Sequence, residues 1–224
     1  MFMLNKNTII LAVASVVIIF GFLYLVFSTS NNPTSNEPFQ SAKTLSEGDH
    51  IKWASESGNI LVEYSDFQCP NCKLWSDFFK QMDESKNPDF EKIKENISFV
   101  YRNFPLTSIH QNALASAYAA ESAGLQDKFY EMHDLLFDHQ SEWSELKNPT
   151  DYFVGLAETL KLDIEKFKSD LKSSEVKTKV DQDLDSGRQA NVNSTASFYL
   201  NGAYLNNLNN TQDLIKILID TINQ

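Results

Sequence analysis

The two cysteines of this chain are separated by two residues, as Cys69-Pro70-Asn71-Cys72, and they follow an apolar run, Ile60 to Tyr64, and a polar turn, Ser65 to Gln68. The run reads as a strand. After the cysteines Leu74, Trp75, Phe78, Phe79 and Met82 recur at helical spacing, so Cys69 falls where the helix starts. Unpaired N–H groups and the helix dipole favour negative charge there and lower the pKa of a thiol. Pro70 suits the first helical position, because its φ is already helical and its missing N–H costs nothing. Cys72, one turn further on, can attack a mixed disulfide on Cys69 and release the partner reduced, or oxidised when the step runs backwards. Other uses of a cysteine pair fit less well. A staple across so short a loop removes little chain entropy. A zinc site needs more ligands, and His50, His110, His133 and His139 are scattered with no second cysteine pair. No cofactor and no metal are expected.

With 224 residues, 42% of them hydrophobic and sixteen of them Phe, the chain can bury one good core. A formal charge of -11 argues against nucleic acid as a partner, since that surface asks for a basic footprint. Thr8 to Phe27 carries no charge and is rich in Ile, Val, Leu and Phe, the length of a membrane-spanning helix. Leu25 to Ser30 offers a weak cleavage site, so residues 1–28 are expected to be an uncleaved anchor spanning about 8–27. Lys6 precedes the span and the next lysine is Lys43, which places the N-terminus in the cytoplasm and the domain outside the cell membrane. In that compartment a cysteine pair can cycle through its oxidised form. Residues 29–50, rich in Asn, Ser, Thr and Pro, read as a flexible tether, and 51–224 as the folded domain.

Within the domain, Asn59 to Tyr64 is a strand buried on both faces, the helix after the cysteines ends at Asn87-Pro88, and Ile97 to Tyr101 is a second strand parallel to the first. Ser108 and Gln111 form a capping box for an Ala-rich helix that ends at Gly124. Helices follow around Phe129 to Leu136 and Tyr152 to Leu160. A longer one runs from Ile164 to Leu184 with a bend at Ser173-Ser174. Asn201-Gly202 between Phe198-Tyr199-Leu200 and Ala203-Tyr204-Leu205 is the hairpin signal, and Thr211 caps a final amphipathic helix. A β-α-β unit, a helical insertion over about 106–188, then a hairpin and helix is an α/β layout of the thioredoxin type.

At this point the chain resembles a family, the DsbA-like thiol-disulfide oxidoreductases of the thioredoxin superfamily, in the group also called thioredoxin-4. The matching stretches are Val62 to Cys72, Tyr101 to Leu106 with His110, and Val192 to Thr195 leading into Ser197 to Gly202. The resemblance implies that Cys69 is the exposed attacking cysteine and Cys72 the shielded resolving one, and that Glu63 is a buried acid able to relay a proton for Cys72. It places client contacts at Pro70, Asn71, Thr195 and Ala196. His110 reads first as a helix-opening surface group and Asp66 as a turn former. Relatives carry a cis-proline after the residue matching Thr195, where this chain has Ala196; a non-proline cis bond is costly, so a trans bond and a less crowded dithiol, more open to metal, are expected. The implied function is disulfide exchange with cysteines of exported proteins, most simply as an oxidase recharged by a membrane redox partner. The alternatives are a reductase or isomerase, and a redox-inactive binding module or holdase.

Overall fold

The computed structural model describes residues 39–54, 57–206, 208 and 210–224. The span expected over 8–27 lies outside them, and among the described residues no helix is long and apolar enough to cross a membrane.

The cysteine-bearing unit is built on β2 (Asn59–Ser65) and β3 (Ile97–Asn103), which run parallel with Glu63 opposite Tyr101 and Ser65 opposite Asn103. Between them come α2 (Pro70–Glu84) and a separate α3 (Pro88–Asn96). The first helix ends earlier than expected, at Glu84 with Ser85 as its cap; Asn87 instead accepts from the Asp89 N–H and Pro88 takes the first helical position, so this dipeptide starts a second helix. The sheet order is β1-β3-β2-β4-β5, with β1 (His50–Trp53) antiparallel to β3 and β4 (Ser197–Leu200) antiparallel to β2. β5 (Ala203–Tyr204) closes the hairpin through Asn201 and Gly202, both at positive φ, as a tight two-residue turn requires.

As expected of a strand covered on both sides, β2 sends Leu61 into one cluster and Val62 and Tyr64 into another. The Leu61 side packs Phe79 and Met82 of α2, Ile93 of α3, and Leu214 and Leu218 of the last helix, α10 (Thr211–Ile222). The six insertion helices lie between β3 and β4: α4 (Ala113–Gly124), α5 (Phe129–Asp138), α6 (Gln140–Trp143), α7 (Thr150–Thr159), α8 (Ile164–Asp170) and α9 (Ser174–Gln189). Ala119, Ala120 and Ala123 of α4 pack with Phe67 and the two cysteines in one cluster. Gly124 answers a close approach rather than a left-handed cap: a Cβ there would lie 2.6 Å from His50 Cε1.

Three local expectations change. The box Ser108-Gln111 does not form, because the chain runs through turns to Asn112, whose N–H donates to Gln68 Oε1 before α4 begins. The long helix over Ile164 to Leu184 is two, since Ser173 caps Val176 N–H and starts α9 afresh. Asn210, not Thr211, caps the last helix by accepting from Asp213 N–H.

Residues 39–49, read from composition as tether, are fastened to the domain at several points, although 43–48 stay exposed. A short α1 (Gln40–Lys43) buries Ala42, the Phe39 ring stands edge-on to Tyr199, and Phe39 N–H donates to Gly202 O at 2.8 Å. The anchor is Arg102, fully buried on β3. It forms a two-pronged pair with Asp49 (Nε–Oδ1 3.1 Å, Nη2–Oδ2 2.7 Å) and donates to the carbonyls of Ser41 and Thr44. Burial alone would pull the guanidinium down, but Asp49 more than offsets it and the group stays above its ordinary value. Composition did not reveal this because single side chains, not a periodic stripe, hold the segment. Asp49→Asn therefore leaves a buried cation unpaired and is expected to cost about 3 kcal/mol, read as a shift of the urea midpoint. A loss below roughly 0.5 kcal/mol would mark the pair as no better than a surface one.

Candidate active site

Cys69 is the N-cap of α2 with extended backbone (φ -75, ψ 123), and Pro70 occupies the first turn. The turn before it is built by Asp66: Oδ1 accepts from Gln68 N–H at 2.8 Å, its carbonyl accepts from Cys69 N–H, and Oδ2 accepts from Leu106 N–H while pairing with His110 Nδ1 at 2.7 Å. Asp66 is thus the turn former expected, and it also ties the loop after β3 to the cysteine turn. His110 does not open a helix, since α4 begins three residues later. Gln140 of α6 donates to the carbonyls of Phe67 (2.7 Å) and Cys69 (3.0 Å), and Gln68 donates to Ser144 O. The cysteine turn is therefore held from β3, from α6 and from the loop after it.

Both cysteines are free thiols. Cys69, expected to be exposed, is buried with 7% exposure, because its thiol lies against the Thr195 carbonyl; Cys72 has none, while Pro70 and Asn71 are exposed. The Cys69 thiol is pushed down to about 5. The Cys72 thiol, donating to it, contributes most; burial works against this, and the Thr195 side chain and the backbone amides of Cys72 and Asn71 add to it. The helix end is thus one contributor among several, and the partner cysteine the larger one. Cys72 moves the other way, well above the usual thiol range, first because it is buried and then because Cys69 and Glu63 lie beside it.

Glu63 is 2% exposed on β2, and burial pushes its carboxyl up to about 8, against the nearby Ser65 hydroxyl, which lowers it. Opposite Cys69, Thr195 presents its carbonyl 3.5 Å from Sγ, and its buried Oγ1 has no formed hydrogen bond. The Thr195-Ala196 bond is cis, not trans as expected from the local cost, with Ser197 to Leu200 held in register against Leu61 to Tyr64 immediately after it. Among the described residues no group of three or more His, Cys, Asp or Glu could hold a metal. Clefts of about 370 and 330 Å³ elsewhere on the surface are lined by neither cysteine.

A family model described as thioredoxin matches residues 46–220. The chain belongs to the DsbA-like thiol-disulfide oxidoreductases of the thioredoxin superfamily. Among curated relatives of this DsbA-like chain, the Na(+)/H(+) antiporter NhaA 1 of Salinispora arenicola is 36% identical over 154 residues, which are 69% of the chain but 22% of the antiporter. The chain thus spans less than a quarter of the length of the antiporters that it matches. Probable disulfide bond formation protein D of Bacillus cereus is 31% identical over 150 residues, 65% of the chain and 67% of that protein. Among solved structures, oxidised BdbD from Bacillus subtilis superposes with a TM-score of 0.68 at 19% identity, covering 84% of the chain and all of BdbD. The thiol-disulfide exchange protein alpha-DsbA2 from Wolbachia pipientis gives 0.68 at 14%, covering 86% of the chain and all of that protein.

In this DsbA-like site the fold brings Cys69, Cys72, Glu63 and Thr195 together, while Pro70 and Asn71 face solvent beside them. Sequence reasoning missed Ser65, Tyr101, Gln68 and Gln140. For Ser65 a signal existed, since it lies two residues beyond Glu63 on a strand and so shares its face. Nothing local marked Gln140, which reaches the cysteine turn from the insertion.

Two outcomes follow from these protonation states. The reduced protein should react with iodoacetamide with a midpoint near pH 5, far below the free thiol's roughly 8.5; a midpoint above about 8 would refute the arrangement. For Glu63 the folded pKa is above the unfolded one, so its contribution is fully present below about 4.5 and is lost as pH rises through about 8. Cys69 works in the opposite sense over the same window, so the comparison must be with a variant. Glu63→Gln should gain stability over the reduced parent by a margin that grows from pH 5 to pH 8, on the order of 4 kcal/mol at the upper end. A margin independent of pH, measured by urea unfolding, would show that Glu63 is not a buried neutral acid.

Proposed function

We propose that this chain forms disulfides in exported proteins through Cys69 and Cys72, as an extracytoplasmic oxidase anchored by residues 8–27 and recharged by a membrane redox partner. The observation that carries the direction is the asymmetry of the two thiols. A reduced site whose Cys69 is a stabilised thiolate is a favoured product, so the oxidised pair readily gives up its disulfide to a client. The Bacillus cereus relative, a probable disulfide bond formation protein, supports the same direction. The apolar run at 8–27 and the lysine bias around it support the membrane location.

The client thiolate attacks Cys69 Sγ of the oxidised pair, the bond to Cys72 breaks, and Cys72 leaves with the electron pair and takes a proton. Glu63, a carboxylic acid at neutral pH, is the buried source of that proton. A second client thiolate then attacks the client sulfur and expels Cys69 as a thiolate, which its donors stabilise. Clients are met on a surface: Pro70 and Asn71 are exposed, as are Leu74 on α2 (66%) and Ile109 (71%), next to the His110 that pairs with Asp66. Exposed apolar side chains near the cysteine turn suit unfolded segments, whose own apolar residues are still unburied.

Cys72→Ser should trap mixed disulfides with cysteine-containing clients, and Cys69→Ser should trap none. Equal trapping by the two variants would overturn the assignment of roles. The direction is tested separately by reoxidation of a reduced client: a reduction potential near that of a cytosolic reductant, about -270 mV, would make the chain a reductase.

A further inference from the structure

Glu63 and Cys72 act on each other through space, but no hydrogen bond joins them. A proton cannot hop directly between groups so placed, and the exchange reaction needs one to move each time Cys72 attacks or leaves. The group that reaches both is Ser65. It lies two residues after Glu63 on β2 and therefore on the same face, the face on which Cys72 packs. Across the parallel pair Tyr101 stands opposite Glu63. Ser65 lies near enough to the Glu63 carboxyl, the Cys72 thiol and the Tyr101 hydroxyl to lower the pKa of each. Yet Ser65 Oγ and Tyr101 OH are buried with no formed hydrogen bond. A buried hydroxyl is seldom left so, and one with three acceptors in reach and no fixed partner is free to turn among them.

We propose that the Ser65 hydroxyl is the proton conduit between Glu63 and Cys72, an inference that rests on the disulfide-exchange reading above. When the client thiolate attacks Cys69 Sγ, the client–Cys69 bond forms and the Cys69–Cys72 bond breaks with its electron pair on Cys72 Sγ. Ser65 passes its hydroxyl proton to that sulfur and takes the Glu63 carboxyl proton in its place. Glu63 is left as a carboxylate and regains a proton from solvent once the client has gone. In the reverse direction Cys72 gives its proton to Ser65, Ser65 gives its own to Glu63, and the Cys69–Cys72 bond forms as the client thiolate departs. Tyr101 stays protonated throughout, since burial holds its hydroxyl well above the ordinary range, so it can only donate toward Ser65 Oγ and leaves the Ser65 proton to point at either partner. The other titratable groups around the cluster are Cys69 and Asp66 beside the turn, and Tyr130 and His133 on α5.

The test uses the full oxidised chain and a cysteine-containing peptide, with the mixed disulfide trapped by acid quench between pH 5 and 9. Ser65→Ala should slow its formation roughly tenfold at pH 7 and flatten the pH profile. Ser65→Thr, which restores a hydroxyl, should recover most of the rate. Glu63→Gln should be slow, and the double variant no slower than Glu63→Gln alone, because the two groups serve one transfer. If Ser65→Ala is as fast as the parent while Glu63→Gln is slow, the conduit is wrong and the role of Glu63 stands. Multiplying defects in the double variant would also overturn the conduit, by showing independent roles. If Glu63→Gln is itself as fast as the parent, the proton reading of Glu63 falls and the conduit falls with it, while mixed-disulfide trapping by Cys72→Ser would still stand.

Discussion

A carboxyl and two thiols share the buried space between β2 and α2, and burial allows little charge among them. Each ionised group in so dry a place raises the cost of ionising the next. Cys69 carries the charge because the Cys72 thiol first, and then the Thr195 side chain and the first amides of α2, lower its pKa by more than burial raises it. Cys72 and Glu63 remain protonated first because they are buried, and the Cys69 charge adds to that. The strand, the helix start, the Asp66 turn and the Gln140 amide together place three acidic groups so that one ionises and two do not.

On the opposite face of the sheet burial is handled differently. Arg102 faces Tyr64 and Ser186 and is matched by Asp49, and Lys179 of α9 pairs with Asp183 at 2.6 Å. Asp183 in turn accepts from Asn103 N–H at 3.0 Å, at the β3 position opposite Ser65. Paired charges therefore bind the segment before β1 and the insertion helix α9 to the sheet. Glu63 and Cys72 are instead kept protonated by burial.

What could be read from the sequence was whatever depends on local pattern. The strand before the cysteines, the stripe on α2, the parallel return at Ile97 and the Asn201-Gly202 hairpin each carry their own period or turn chemistry. β1 was not legible, because His50-Ile51-Lys52-Trp53 is a half-covered edge strand of four residues with neither an apolar run nor an alternation long enough to stand out. Caps shifted by one residue or were replaced by distant side chains: Gln68 satisfies the start of α4 from 44 residues away. At the site, Cys69, Cys72 and Glu63 were legible because their chemistry is unusual for where they stand. Ser65 and Tyr101 are ordinary residues whose position only matters once the register of β2 and β3 is known.

The protonation of Glu63 bears directly on the direction in which the pair works. A carboxylate in the same buried space would repel the Cys69 thiolate and disfavour the reduced form, making the disulfide harder to give up. A neutral acid imposes no such repulsion and still has a proton to deliver when Cys72 leaves. With its carboxyl pushed up to about 8, Glu63 is in that neutral state across the range where client thiols begin to ionise. In the oxidising cycle proposed above, burial of the β2 face would serve both halves: it keeps charge away from the thiolate that must be stabilised, and it keeps a proton beside the thiolate that must be quenched. A more exposed Glu63 would ionise at the ordinary carboxyl range and lose both, so the apolar packing of Phe198 and Tyr130 around this strand is as much a part of the chemistry as the cysteines.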